Sequence, residues 1–234
     1  MESNAPSTYP RECYADAKFW DDRFSEEIGQ QYVTASELSD FSSIHTGSDI
    51  ANSLWLQTRE VLRLVLMIGC GNSRLPEELV KEHGFRHVCC IDLSTVAIEG
   101  MAKYYMEDAE LRTKLEWLNV DATKMGAYFN GRRFDLIIEK GTLDAMMCSS
   151  STEAAVAMLN EIPKVIEPNK GCCMLVSHNR KRDSLLLSHD VSLRVRAVRR
   201  GELSSQSMLV NILRSKLGNE YEYIKAADIG LDGL

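Results

Sequence analysis

Three acids and one glycine turn each end an apolar run in this chain. Residues 64–71 read Leu-Val-Leu-Met-Ile-Gly-Cys-Gly, and Asp92 follows the second glycine by twenty-one residues, closing Val-Cys-Cys-Ile-Asp. Asp121 and Glu139 cut off two later apolar runs in the same way. Glycines let a backbone approach a ligand closely, and a carboxylate at that distance can accept hydrogen bonds from two ribose hydroxyls. In this reading Gly69 and Gly71 make room for the ligand and Asp92 takes the ribose. Asp121 accepts from an adenine amino group, Leu93 and Ala122 flank the ring, and Glu139 or Lys140 stands at the reacting end. Singly, each aspartate also fits a turn former or a helix cap. Acids at three successive strand ends favour a site.

The spacing narrows the nucleoside. A dinucleotide fingerprint needs a third glycine three residues after the second, and that position is Arg74. No G-x-x-x-x-G-K-[ST] phosphate loop occurs either. A cofactor with adenine and ribose but without phosphate fits better, and S-adenosyl-L-methionine is the common one. The two glycines alone are equally compatible with an ordinary tight strand–helix turn.

Positioning these residues requires strands whose carboxyl ends share one edge. Apolar runs predict strands near 63–68, 87–91, 115–120, 134–138 and 172–177. Helices are expected between them: 73–83, with Pro76 in its first turn and Gly84 after its end; 95–108, capped by Ser94; and 153–166. In the last of these Val156, Leu159, Ile162 and Ile166 share a face, and Pro163 predicts a kink or early break. Asn130-Gly131 marks a turn. Alternation of this kind gives a doubly wound α/β domain with a mostly parallel sheet buried on both faces. Further extended segments are expected near 191–199 and 220–227, with 205–217 open to helix. Residues 11–27 predict a short helix carrying Phe19, Trp20, Arg23 and Phe24. Residues 1–50 read as an extension and lid, and 51–234 as the catalytic domain.

Composition excludes several classes. The chain has 234 residues, 44% of them hydrophobic, and a formal net charge of −7, which argues against a general nucleic-acid binder. No apolar run approaches the ~18 residues of a membrane span, and the start lacks the features of a secretory signal. Cys89–Cys90 and Cys172–Cys173 are adjacent pairs whose side chains should point to opposite faces of a strand, so neither pair chelates one zinc. Free thiols in apolar runs imply a reducing compartment, with a cytoplasmic location as the expectation.

Gly-Cys-Gly-Asn-Ser at 69–73 and Glu-Lys-Gly-Thr-Leu-Asp at 139–144 resemble the class I, seven-strand methyltransferases that modify lysines of translation elongation factor 1 alpha. Cys13-Tyr14, Phe19-Trp20-Asp21-Asp22-Arg23-Phe24 and Asp40-Phe41-Ser42-Ser43 are similar to the lysine methyltransferase 4 type within that family. The resemblance covers residues 11–177. It implies a seven-stranded Rossmann-like sheet with an N-terminal helical cover, a protein substrate, and cofactor contacts from Trp20, Phe24, Gly69, Asp92, Leu93, Asp121, Ala122 and Lys140. Phe24 stands where the family has tyrosine, and Thr34–Ser39 lacks the family's tryptophan.

Basic side chains predominate over 178–200, where Arg194 and Arg196 alternate with Leu193 and Val195. The stretch reads as a solvated face or as a docking surface for an acidic region of a protein substrate. Three functional readings stand: a protein-lysine methyltransferase, a small-molecule methyltransferase on the same scaffold, and a catalytically silent interaction protein.

Overall fold

In the computed structural model the described residues are 16–31, 64–148, 151–168, 171–177, 197–199 and 209–214. Five parallel strands form the centre: β1 (Val65–Ile68), β2 (Val88–Asp92), β3 (Leu115–Asn119), β4 (Leu136–Lys140) and β5 (Cys172–Ser177). Their order is β3-β2-β1-β4-β5, so the chain runs outward from β1 to β3 and then crosses back to place β4 on the other side of β1. Val65 pairs with Val88 on one side and Leu136 on the other. All four residues of β1 are buried, as expected of a central strand covered on both faces.

Strand alternation splits the core into two layers. Val65, Met67, Cys90, Leu136, Ile138 and Met174 face one layer, with Leu79 of α2 (Leu75–Lys81) and Ile98 and Met101 of α3 (Thr95–Tyr104). Leu66, Ile68, Cys89, Ile91, Ile137 and Leu175 face the other. There they meet α5 (Met125–Phe129), α6 (Thr142–Met146) and α7 (Glu153–Val165). A four-residue turn of helix, α4 (Leu111–Lys114), leads into β3. Cys89 and Cys90 thus point to opposite faces, as the two-residue period requires.

Local chemistry explains most element ends. Ser94 caps α3 by accepting from the Ala97 N–H at 3.1 Å. Pro76 lies in the first turn of α2, where its missing N–H is harmless. Asn130 and Gly131 both have positive φ and turn the chain after α5.

Three expectations need correction. The fourth strand is Leu136–Lys140, not 134–138: Phe134 makes only an isolated bridge to Ile166, while Glu139 pairs with Ile68 and Leu175. Gly141, at φ 85°, ends it. Pro163 does not break α7, which continues to Val165 and is extended by an Ile166 N–H to Ile162 carbonyl bond. Proline sits in the last turn, where few hydrogen bonds remain to be lost. On that helix Val156 is only half-buried, and Ala155, Met158 and Val165 join Leu159 and Ile162 on the core face.

Beyond β5 the backbones of β6 (Ala197–Arg199) and β7 (Leu209–Arg214) extend the sheet, β7 antiparallel to β5 and β6 antiparallel to β7. The stretch 205–217 therefore contains strand, in keeping with the β-forming Leu-Val-Asn-Ile-Leu sequence. The segments expected at 191–196 and 220–227, and the domain boundary near residue 50, lie outside the described residues. Toward the amino end, α1 (Ala17–Gln31) begins after Asp16, whose carboxylate accepts from the Lys18 N–H at 2.9 Å. It runs four residues beyond the expected end at 27.

Candidate functional site

The carboxyl ends of β2, β1 and β4 bring Asp92, the glycine turn and Glu139-Lys140 side by side. Gly69 and Gly71 have φ of 61° and 50°, conformations that side chains with a Cβ rarely adopt. The turn is fixed by the Cys70 N–H to the Ile91 carbonyl, 3.1 Å. Asp92 ties this turn to the next one: its Oδ2 accepts from the Gly71 N–H at 2.8 Å and its Oδ1 from the Ser94 N–H at 2.9 Å. The side chain is only 8% exposed. Burial pushes its carboxyl above the usual range, against the pull of those N–H donors. Each oxygen keeps a second lone pair for an incoming hydroxyl.

Asn119 holds the loop after β2, its side-chain amide donating to the carbonyls of Asp92 and Leu93 at 3.1 and 2.8 Å. Leu93 is half-buried there. After β3, Asp121 caps a 3-10 turn at Ala122–Lys124. Its Oδ1 accepts from the Thr123 N–H and hydroxyl, and its Oδ2 lies 3.0 Å from Lys124 Nζ. Burial raises this carboxyl, but Thr123 and Lys124 outweigh burial and hold it below its ordinary value. The helix-cap reading of Asp121 is thus realised, beside buried Ala122.

Glu139 is fully buried. Its Oε1 accepts from the Leu143 N–H at 2.8 Å, and its Oε2 has no hydrogen-bond partner among the described residues. Burial above all pushes its carboxyl up to about 8, with Asp144 adding to the rise. Burial also pushes the neighbouring Lys140 ammonium down, with Glu139 opposing. Both lie inside β4 rather than after it.

The room expected at the glycines is taken by protein. A Cβ on Gly69 would fall 1.8 Å from Thr142 Oγ1, whose hydroxyl donates to the Ile68 carbonyl at 3.3 Å. A Cβ on Gly71 would lie 3.0 Å from the edge of the Phe24 ring. Phe24 is buried and stacks on half-buried Trp20 with ring centres 5.8 Å apart. Helix α1 reaches this corner through two further contacts. Asp21 Oδ1 accepts from the Ser94 hydroxyl at 2.6 Å and the Val96 N–H at 3.1 Å. Glu27 accepts from the Asn72 side-chain amide at 3.0 Å.

Asp21, Thr142 and Asn119 are the residues that sequence reading did not assign. Asp21 sits inside the Phe-Trp-Asp-Asp-Arg-Phe string, but its partners lie more than 70 positions away. The capping demand of Ser94 was visible; the acid that shares it was not. No group of three or more metal-binding side chains occurs among the described residues, and none of their helices is long and apolar enough to cross a membrane.

Residues 65–169 match the family model described as a methyltransferase domain. The cattle (Bos taurus) "EEF1A lysine methyltransferase 4" is 28% identical over 71% of this chain and 63% of its own length. The mouse (Mus musculus) protein of the same name is 27% identical over 77% of this chain and 69% of its own. A zebrafish (Danio rerio) "eEF1A lysine and N-terminal methyltransferase" is 37% identical over 44% of this chain, which spans only 14% of that relative. Among solved structures, magnesium protoporphyrin IX methyltransferase from Synechocystis, with bound SAM, superposes with a TM-score of 0.61 at 15% identity, covering 90% of this chain and all of that one. At that identity the likeness is one of fold: an α/β, Rossmann-like sheet.

Proposed function

We propose that this chain is a class I S-adenosylmethionine-dependent methyltransferase that transfers methyl groups to lysine side chains of a protein, elongation factor 1 alpha being the substrate. The observation that carries the proposal is the Asp92 carboxylate, buried between the glycine turn and Ser94, in a chain whose relatives of similar extent are named as lysine methyltransferases of that factor.

The donor set fits the cofactor. Asp92 offers acceptors at the ribose, Asp121 an acceptor at the adenine edge, and Leu93 and Ala122 apolar flanks. Gly69, Gly71, Glu139 and Lys140 stand at the methionine end, where Thr142 and Phe24 also pack, and Glu139 Oε2 is a buried oxygen with no partner among the described residues. Trp20 and Phe24 make α1 a lid over this corner. β6 and β7 complete a seven-stranded sheet.

S-adenosyl-L-methionine, when bound, supplies the electrophilic methyl group. The chain's part is alignment and exclusion of water, and positioning of this kind can supply about 7–11 kcal/mol of a barrier. A lysine nucleophile must also be neutral, although its ordinary pKa is about 10.4. The burial that pushes Lys140 down acts in the same direction on a second amine brought beside it. Glu139, mostly protonated at neutral pH, adds little negative charge to oppose that loss of the proton. Asp144, in the first turn of α6, is the group proposed to orient the incoming ammonium.

The proposed action on elongation factor 1 alpha supports a cytoplasmic location. Incubation with radiolabelled cofactor and purified elongation factor 1 alpha should label that protein, and lysine-to-arginine variants of it should lose the label. Labelling of small metabolites alone would move the chain to the small-molecule reading. The Phe24–Gly71 contact favours a silent interaction protein, and absence of cofactor binding would establish that alternative.

A further inference from the structure

We propose that Asp21 is a latch that closes α1 over the cofactor corner and thereby sets how fast the cofactor leaves. The inference rests on the methyltransferase reading and adds a positioning residue to it.

The start of a helix leaves N–H groups without intrahelical partners. In α3, Ser94 satisfies the Ala97 N–H, and the Val96 N–H takes its acceptor from another element altogether, the carboxylate of Asp21 in α1. A negative group is favoured at that position by the helix dipole. Asp21 also accepts a hydrogen bond from the Ser94 hydroxyl at 2.6 Å. Ser94 is therefore shared: its N–H goes to Asp92, which would hold the ribose, and its O–H goes to Asp21, which holds the helix carrying Trp20 and Phe24. One turn after Asp21, Phe24 closes over Gly71. The Glu27–Asn72 bond tethers the same helix to the residue after that glycine.

Two elements that line one nucleoside site are thus joined through a single serine. A nucleoside cannot reach the Gly71 backbone while Phe24 covers it, so entry and exit require α1 to rise. Rising breaks both bonds of Asp21. Bonds to a charged acceptor are the stronger kind, and one such interaction held only in the closed state alters an equilibrium about tenfold.

The test is S-adenosylhomocysteine binding to the full chain by calorimetry and by stopped-flow release. Asp21→Ala should speed release of the ligand about tenfold and speed its entry as well, so that affinity falls by less than release quickens, while kcat at saturating cofactor changes less than about threefold. Asp21→Asn should keep release within about threefold of the wild-type rate, because its amide oxygen still accepts from Ser94 and Val96. Hydrogen exchange at the Val96 amide should quicken in Asp21→Ala and slow in the wild type when ligand is added. Glu27→Ala, on the half-buried face of α1, should speed release less. If Asp21→Ala fails to fold, Glu27→Ala and Asp21→Asn carry the test. Unchanged release in every variant that folds overturns the latch. So does an equal loss in Asp21→Ala and Asp21→Asn matched by an equal drop in ligand-free melting temperature. A wild-type chain that does not bind the ligand at all instead overturns the methyltransferase reading.

Discussion

Glu116, near the start of β3, and Glu139, near the end of β4, are carboxylates of the same sheet with opposite fates. Glu116 is gripped by Arg132 through both oxygens, at 3.1 and 2.7 Å, and by His87 at 3.1 Å. Arg132 in turn lies over the rings of Phe129 and Phe134. Chiefly through Arg132, and against burial, the Glu116 carboxyl is held down at about 2. Glu139 has one oxygen on a backbone N–H and one with no partner among the described residues, and burial lifts it to about 8. The amino end of the sheet closes its charges on itself, which is what structure alone requires. The carboxyl end leaves acceptors incomplete and spends left-handed backbone on two glycines, which structure alone does not require.

The comparison can be broken most severely at the glycine turn. Gly69→Ala combines a left-handed φ with a Cβ 1.8 Å from Thr142 Oγ1. A loss of about 2–5 kcal/mol in urea denaturation is expected. Adding Thr142→Ala should recover the part due to overlap and leave the part due to φ. At the opposite end Arg132→Met removes the bidentate pair and the ring contacts. It should cost about 1–2 kcal/mol and leave S-adenosylhomocysteine affinity unchanged within twofold.

A further effect is one of pH. A carboxyl whose folded pKa lies below its ordinary value near 4.5 stabilises the fold above that value and loses the contribution as pH falls toward 2; Glu116 is of this kind. A carboxyl whose folded pKa is raised behaves oppositely. For Glu139 the folded state holds the proton more tightly, so stability declines as pH rises from about 4.5 to 8 and is level beyond. Glu139→Gln should flatten the decline over that window, a change of a few degrees in relative melting temperature followed by calorimetry. Glu116→Gln should alter only the acid limb.

Much of this was legible in the sequence because it depends on neighbours. The Ile-Gly-Cys-Gly turn, the Ser94 cap and the alternating burial of Cys89 and Cys90 follow from local periodicity and side-chain chemistry. The end of β4 was misplaced by two residues because Glu139 and Lys140 look like loop residues, and only pairing with Ile68, Leu175 and Val176 keeps them in the strand. The filling of the glycine space by Thr142 and Phe24 was hidden for the same reason. So was the Asp21–Ser94 bond, since these partners lie some 50 to 75 positions apart and a single sequence carries no sign of the pairing. β7 was open to a helical reading because six apolar-rich residues without a clear period do not choose between the two.

The central claim is that the carboxyl end of the sheet, organised by Asp92, holds a nucleoside sulfonium cofactor. Titration calorimetry of the wild type and Asp92→Ala with S-adenosylhomocysteine tests it most directly. Micromolar binding by the wild type and a loss of at least about 100-fold in the variant is the expected result, because the variant loses the ribose acceptor and orphans the Gly71 and Ser94 N–H groups. Equal affinity in the two proteins, or no binding by the wild type at millimolar ligand, would contradict it.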